Sequence, residues 1–202
     1  MILIKNAVSF MVIFLMLLCV TICFGAETTA GKSSNPSVVI ETSMGNITLE
    51  LFADKAPKTV ENFLGYVKSG YYNGTIFHRV IKGFMIQGGG MIAGPTPKVG
   101  LRSPIENEAT NGLKNEIGTI AMARTSVINS ATSQFFINTA DNKSLNHRGT
   151  DPDKFGYAVF GKVTAGMDVV KNIENVAVGT KGTYQNVPTE TITIKSVHLK
   201  VE

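Results

Sequence analysis

Between Ser37 and Phe52 the chain carries two β-rich runs, "SVVIET" and "NITLELF", joined by "SMGN". Apolar and polar residues alternate along both, a period that turns one face of each strand to a core, and the glycine-bearing joint reads as a hairpin. The period then changes. In "APKTVENFLGYVKSG", Val60, Phe63, Leu64 and Val67 fall at i, i+3, i+4 and i+7, which is one stripe of an amphipathic helix. Pro57 suits its first turn and Gly70 its C-terminal cap. A second, shorter helix is predicted from Ala165 to about Asn175. In the closing "TITIKSVHLKV", Ile192 and Ile194 share one parity while Val197, Leu199 and Val201 share the other. A bulge is therefore expected at Lys195–Ser196. Many short strands with two helices point to a mainly β domain, a closed antiparallel barrel capped by helices.

The first residues follow none of these periods. "MILIKNAVSFMVIFLMLLCVTICFGAE" has one lysine, Lys5, then an apolar run from Ala7 to Phe24 and small residues at Gly25 and Ala26. This is the pattern of a secretory signal peptide over residues 1–25, followed by a polar linker at 26–36 and the folded domain at 37–202. The rival reading is an uncleaved membrane anchor, because the run is just long enough to span a bilayer. Cys19 and Cys23, the two cysteines of the chain, both lie in this segment. A processed chain would hold neither, so disulfides, thiol catalysis and Cys-ligated zinc drop out together. At 44% hydrophobic and 17% charged the 202-residue chain is globular, not disordered. Its net charge of +4 is too dispersed to argue for nucleic acid. Sequons at Asn46, Asn73 and Asn142 matter only for a eukaryotic secretory route.

Candidate chemistry narrows quickly. "GGGMIA", Gly88 to Ala93, matches the glycine pattern of dinucleotide sites, but that pattern needs a helix directly after it. "GPTPK" follows instead and forbids one. His78, His147 and His198 lie far apart without ligand spacing, and Ser133 is not in a nucleophile elbow. Two stretches remain. "IFHRVIKGFMIQGGG", Ile76 to Gly90, alternates like a strand yet sets His78, Arg79 and Gln87 among large apolar residues. "GTIAMARTSVINSATSQFFINTA" carries Ala123, Arg124, Gln134 and Phe136. Ile81, Phe77 and Phe135 read as barrel filling. Arg79 and Gln87 do not, since a lone arginine in an apolar strand is either solvated or functional.

These two stretches, with "FGYAVFGKVTAGMDVV" after them, resemble the cyclophilins, the cyclosporin-type peptidyl-prolyl cis-trans isomerases. The resemblance runs from about Ser37 to the C-terminus, and the form "GTIAMAR…SQFFINTADN…GYAVFGKV…YQNVP" is most similar to the bacterial periplasmic subgroup. It implies an eight-stranded closed barrel capped by two helices, and an exported, monomeric enzyme in the periplasm. It implies Arg79 as the catalytic residue. Phe84, Met85, Phe136 and Leu145 would line a proline pocket. Gln87, Gln134, the backbone at Ala123 and Arg124, and Tyr157 would contact the substrate, with Phe77 and His78 in support. No cofactor and no metal is implied. The partners would be proline-containing unfolded or exported polypeptides, with no nucleic acid and no membrane once the leader is cleaved. The competing class is a proline-peptide-binding chaperone or scaffold whose isomerisation is incidental. Several positions depart from the family pattern: Ser144 replaces a tryptophan or phenylalanine, Arg124 an asparagine, Tyr157 a histidine and Gly90 an aspartate. The first of these implies weak cyclosporin binding.

Overall fold

Strand β1 (Ser37–Thr42) turns at Ser43–Met44 into β2 (Gly45–Leu51), and the two pair antiparallel from Ser37–Glu50 to Thr42–Gly45. This is the hairpin the alternation predicts. The computed structural model describes residues 35–200, so the leader and nearly all of the linker expected from the sequence lie outside the described residues.

Helix α1 (Pro57–Lys68) opens on Pro57 and buries Val60, Phe63, Tyr66 and Val67. Its N-cap, Ala56, has no side chain to satisfy the free amides. Glu108, far along the chain, does so instead. It accepts from the backbone N–H of Lys58 (3.1 Å) and Thr59 (2.8 Å) and from the Thr59 hydroxyl (2.6 Å), placing a carboxylate at the positive end of the helix. Gly70 follows the helix in the left-handed region (φ 68) and closes it as expected. Helix α2 (Met167–Glu174) falls inside the predicted range.

The remaining strands are β3 (Phe77–Ile81), β4 (Met85–Gly88), β5 (Met91–Ile92), β6 (Thr96–Pro97), β7 (Thr119–Met122), β8 (Phe135–Asn138), β9 (Val159–Ala165), β10 (Val178–Lys181), β11 (Tyr184–Pro188) and β12 (Ile194–Leu199). Six of them join β1 and β2 in one antiparallel sheet in the order β12-β1-β2-β9-β7-β8-β4-β3. The parity slip near the C-terminus is real: Glu41 pairs Ser196 and Thr42 pairs Ile194, leaving Lys195 as the bulged residue.

The expectation of a closed barrel needs correction. The sheet is curled but open, with β12 and β3 at its two ends. These edges meet at one isolated bridge, Ile76–Thr193, flanked by a few backbone bonds such as Phe77 N–H to Ile192 O at 3.0 Å. No ladder forms there, because before Ile192 the chain departs into the separate β10–β11 hairpin, whose second strand lies against β3.

The concave side of the sheet is filled by Ile40, Leu49, Ile86, Ile120, Phe135, Ile137 and Phe160 under α1. Phe63 on the helix sits 5.2 Å from the rings of Tyr72 and Phe160 and 5.8 Å from Phe135. Opposite parity in the same strands builds a second, smaller cluster: Met85, Ala121, Phe136 and Val159. That cluster floors the candidate site.

Candidate active site

The stretch Ile76–Gly90 is two strands, β3 and β4, joined by a turn through Lys82 and Gly83. In β3 the register skips: Phe77 pairs Gly88 and Arg79 pairs Gln87. His78 is the extra residue of a bulge, and a bulge reverses the facing of the residues beyond it. Phe77 therefore points into the core, fully buried and 6.2 Å from Phe135, while Arg79 points to the other side. From the sequence, Phe77 and His78 are expected in support of the site, not as its lining. Both are buried behind the site, and neither lines it.

From Arg79 the ladder runs straight across the sheet. Arg79 pairs Gln87, Gln87 pairs Phe136, Phe136 pairs Ala121 and Ala121 pairs Val159. Paired strands lie about 4.8 Å apart, so this row runs from a guanidinium through an amide to an apolar floor. Above it opens a cavity of about 280 Å³, lined by Arg79, Phe84, Met85, Gln87, Ala123, Arg124, Phe136, Leu145 and Tyr157. Strands supply Arg79, Met85, Gln87 and Phe136. Loops supply the rest.

The polar edge is a relay of amides. Arg79 Nη1 donates to Gln87 Oε1 at 3.3 Å, and Gln87 Nε2 donates to Gln134 Oε1 at 2.9 Å. Gln134 stands at the margin, its carbonyl accepting from the Ala123 N–H at 2.9 Å. Gly90 explains why a third glycine follows the pair: a Cβ there would collide with the Gln134 side chain. Arg79 has no carboxylate partner among the described residues. Its charge is thus directed at whatever enters the cavity. Directly behind it, burial lowers the pKa of His78 to about 4, and the charge of Arg79 adds to that effect.

The loops that carry Phe84, Leu145 and Tyr157 are held from below by buried asparagines that sequence reasoning missed. Asn142 Nδ2 donates to Phe84 O (2.8 Å) and to Asn138 Oδ1 (2.7 Å). Asn138 Nδ2 donates to Asn115 Oδ1 (3.2 Å), and Asn115 Nδ2 reaches Leu145 O (3.1 Å) and Tyr157 O (3.4 Å). No period marks such residues. The one local signal is the run of asparagines in "INTADN". Asn142 also heads a sequon, but its carboxamide is committed and buried. Arg124, expected to contribute through its backbone, has a side chain bound to three carbonyls and stacked 4.8 Å from the Tyr157 ring centre. Ser144 is exposed beside Leu145 in the 3₁₀ turn Lys143–Leu145.

Comparison with known proteins adds what geometry alone does not. Residues 37–199 match the family described as cyclophilin type peptidyl-prolyl cis-trans isomerase/CLD. A peptidyl-prolyl cis-trans isomerase of Acinetobacter baylyi is 54% identical over 176 residues, covering 87% of this chain and 92% of the relative. Peptidyl-prolyl cis-trans isomerase B of Escherichia coli is 54% identical over 160 residues, covering 79% and 97%. The crystal structure of a cyclophilin-type isomerase of Cryptosporidium parvum superposes with a TM-score of 0.70 at 32% identity, covering 83% of this chain and 99% of that one. A second structure of that enzyme, obtained in the presence of the dipeptide Ala-Pro, gives 0.69. With the family match spanning nearly every described residue and bacterial relatives at this identity, the chain belongs to the cyclophilin-type peptidyl-prolyl cis-trans isomerases and catalyses rotation about X-Pro bonds.

Proposed function

We propose that the isomerase acts on exported polypeptides as they fold, with Arg79 as its catalytic residue and the 280 Å³ cavity as the seat of the prolyl ring. An X-Pro bond resists rotation because the nitrogen lone pair is shared with the carbonyl, a barrier of ~18–20 kcal/mol. At the twisted transition state the sharing is lost. The prolyl nitrogen becomes pyramidal and can accept a hydrogen bond. A fixed guanidinium aimed at that nitrogen binds the transition state better than either ground state. Arginine suits the task because its charge is permanent and its donors form a rigid fork. One donor rests on Gln87, which holds the fork while leaving N–H groups for the substrate. Phe84, Met85, Phe136 and Leu145 grip the ring. Gln87, Gln134 and the backbone at Ala123 and Arg124 steady the chain, and rotation is confined to one bond. A gain of about 10⁵ in rate corresponds to roughly 7 kcal/mol, which such a set of directed donors is able to provide without nucleophile or proton shuttle.

The observation that carries this reading is the juxtaposition of a guanidinium with no acidic partner among the described residues and a cavity floored by Met85 and Phe136 that has room for a prolyl ring. A protease-coupled isomerisation assay tests it. Arg79→Ala should lower kcat/KM at least ~100-fold while peptide affinity changes much less, because the lost contact belongs to the transition state. Near-wild-type activity in a folded variant refutes the assignment. The export part rests on Lys5, the apolar run and Gly25–Ala26. The cells' soluble periplasmic fraction should hold a monomer beginning near Ala26; full-length chain in the membrane pellet refutes it.

A further inference from the structure

All three nitrogens of the Arg124 side chain donate within the folded chain. Nε donates to Gly156 O at 3.0 Å, Nη1 to Thr125 O at 2.9 Å and Nη2 to Pro152 O at 2.6 Å. The guanidinium carbon lies 4.8 Å from the centre of the Tyr157 ring, and Tyr157 meets Phe136 edge-on at 5.7 Å. A contact path thus leads from the end of β7, through the 150–157 segment, to the cavity floor. Within that segment Lys154 and Phe155 N–H both bond Asp151 O and Lys154 Nζ bonds the Asp151 carboxylate. Its C-terminal half is tied to neighbouring residues: Arg148 N–H to Lys154 O, His147 Nδ1 at 2.8 Å from Phe155 O, Tyr157 N–H to Leu145 O at 3.0 Å and Asn115 Nδ2 to Tyr157 O at 3.4 Å. Asn107 also reaches Gly156 O, at 3.1 Å, but Pro152 O is joined to β7 through Arg124. Most of residues 150–154 is exposed, so little apolar burial holds the segment down.

We propose that Arg124 is a positioning residue, its guanidinium bridging the end of β7 to Pro152 and Gly156 and so holding the Tyr157 ring as a fixed wall of the proline cavity. The inference rests on the reading of that cavity as the seat of the prolyl ring. Charge-assisted bonds to carbonyls are about twice as strong as neutral ones, and a guanidinium over an aromatic face adds a further attraction. The planar fork does both at once, which a lysine ammonium cannot. The wall touches the prolyl ring equally in the ground and transition states. Loosening it therefore weakens binding of both, raising KM with kcat retained. That is the opposite of the effect expected for Arg79.

The test is a double-mutant cycle in the isomerisation assay, on the full exported chain with a short Ala-Pro peptide as probe. Arg124→Gln should raise KM about fivefold with kcat within about twofold of wild type. Tyr157→Ala should do the same. The double variant should be no worse than Tyr157→Ala by more than about twofold, because both changes remove one wall. If Arg124→Gln does not fold, Arg124→Lys replaces it and should give the same rise in KM. Effects that multiply, a fall in kcat with KM unchanged, or wild-type KM in the Arg124 variant overturns the proposal. Arg79→Ala in the same assay separates the two ideas. An unchanged kcat there removes the reading of the cavity and this proposal with it, whereas a large fall alongside a multiplicative cycle removes only the role of Arg124.

Discussion

His78 makes the stability of this isomerase depend on pH in a window where most carboxylates have already ionised. It is 4% exposed, its Nδ1 has no hydrogen-bond partner among the described residues, and it stands next in sequence to Arg79. Burial is the main reason its pKa falls from 6.5 to about 4. The neighbouring guanidinium lowers it further, against smaller opposing contributions from the Ile76 backbone and the Gln134 amide. The sign is set by where the proton goes. Between pH 6.5 and pH 4 the unfolded chain binds a proton at His78 that the folded chain refuses, so stability rises with pH across that window and is lost on acidification. At pH 7.5 both states are neutral and the effect vanishes. At pH 4.5 the linkage relation, applied to 6.5 and about 4, amounts to roughly 2–3 kcal/mol. That is a large share of the 5–15 kcal/mol typical of a domain. Urea denaturation of wild type and His78→Gln at pH 7.5 and 4.5 measures it. Other groups titrate in both proteins, among them Glu50, whose pKa is lowered chiefly by its hydrogen bond from Asn35, and they cancel in the comparison. The loss of stability from pH 7.5 to 4.5 should be smaller by roughly 2–3 kcal/mol in the variant. Equal losses would show that the bulge leaves His78 free to charge, and would undo the account of how β3 faces its residues.

Ser144→Trp should raise cyclosporin affinity at least ~100-fold, because a large aromatic buries on the order of 150–250 Å² and even part of that area at ~25 cal/mol/Å² is worth a few kcal/mol. Inhibition titrations of the two proteins would show it, with X-Pro isomerisation nearly unchanged, and no gain would remove Ser144 from the rim. Gly65→Ala, in the middle of α1, should stabilise the protein by about 0.5 kcal/mol in thermal or urea unfolding. Alanine favours the helix by up to ~1 kcal/mol, while the new methyl displaces the Arg102 guanidinium from the Tyr66 ring 5.9 Å away, a contact worth ~0.5 kcal/mol when exposed. A destabilisation beyond ~1 kcal/mol would show that Arg102 cannot move aside.

Local patterns sufficed where one residue's environment is set by its chain neighbours. The stripe Val60–Phe63–Val67, capped by Gly70, is α1. The alternation at 37–52 is the first hairpin, and the parity slip at Lys195 is a bulge. The residues singled out from the two signature stretches, together with Leu145 and Tyr157, mostly do line one cavity. Other features depend on partners remote in sequence, and no period records those. Within Ile76–Gly90 a bulge at His78 separates Phe77 from Arg79, although both have the same parity and would share a face in a regular strand. The bulge exists because Gly88 and Gln87 on β4 fix where β3 must pair. Whether the sheet closes depended on the path taken before Ile192, which β10 and β11 divert into a hairpin of their own. The asparagines under Phe84, Leu145 and Tyr157 read as ordinary loop residues until folding buries their amides, and then each must find a carbonyl. Arg124 is marked from the sequence through its backbone alone, and nothing local records what its side chain does. Only the return of the 150–157 segment, some thirty residues later, gives its guanidinium three carbonyls and an aromatic face.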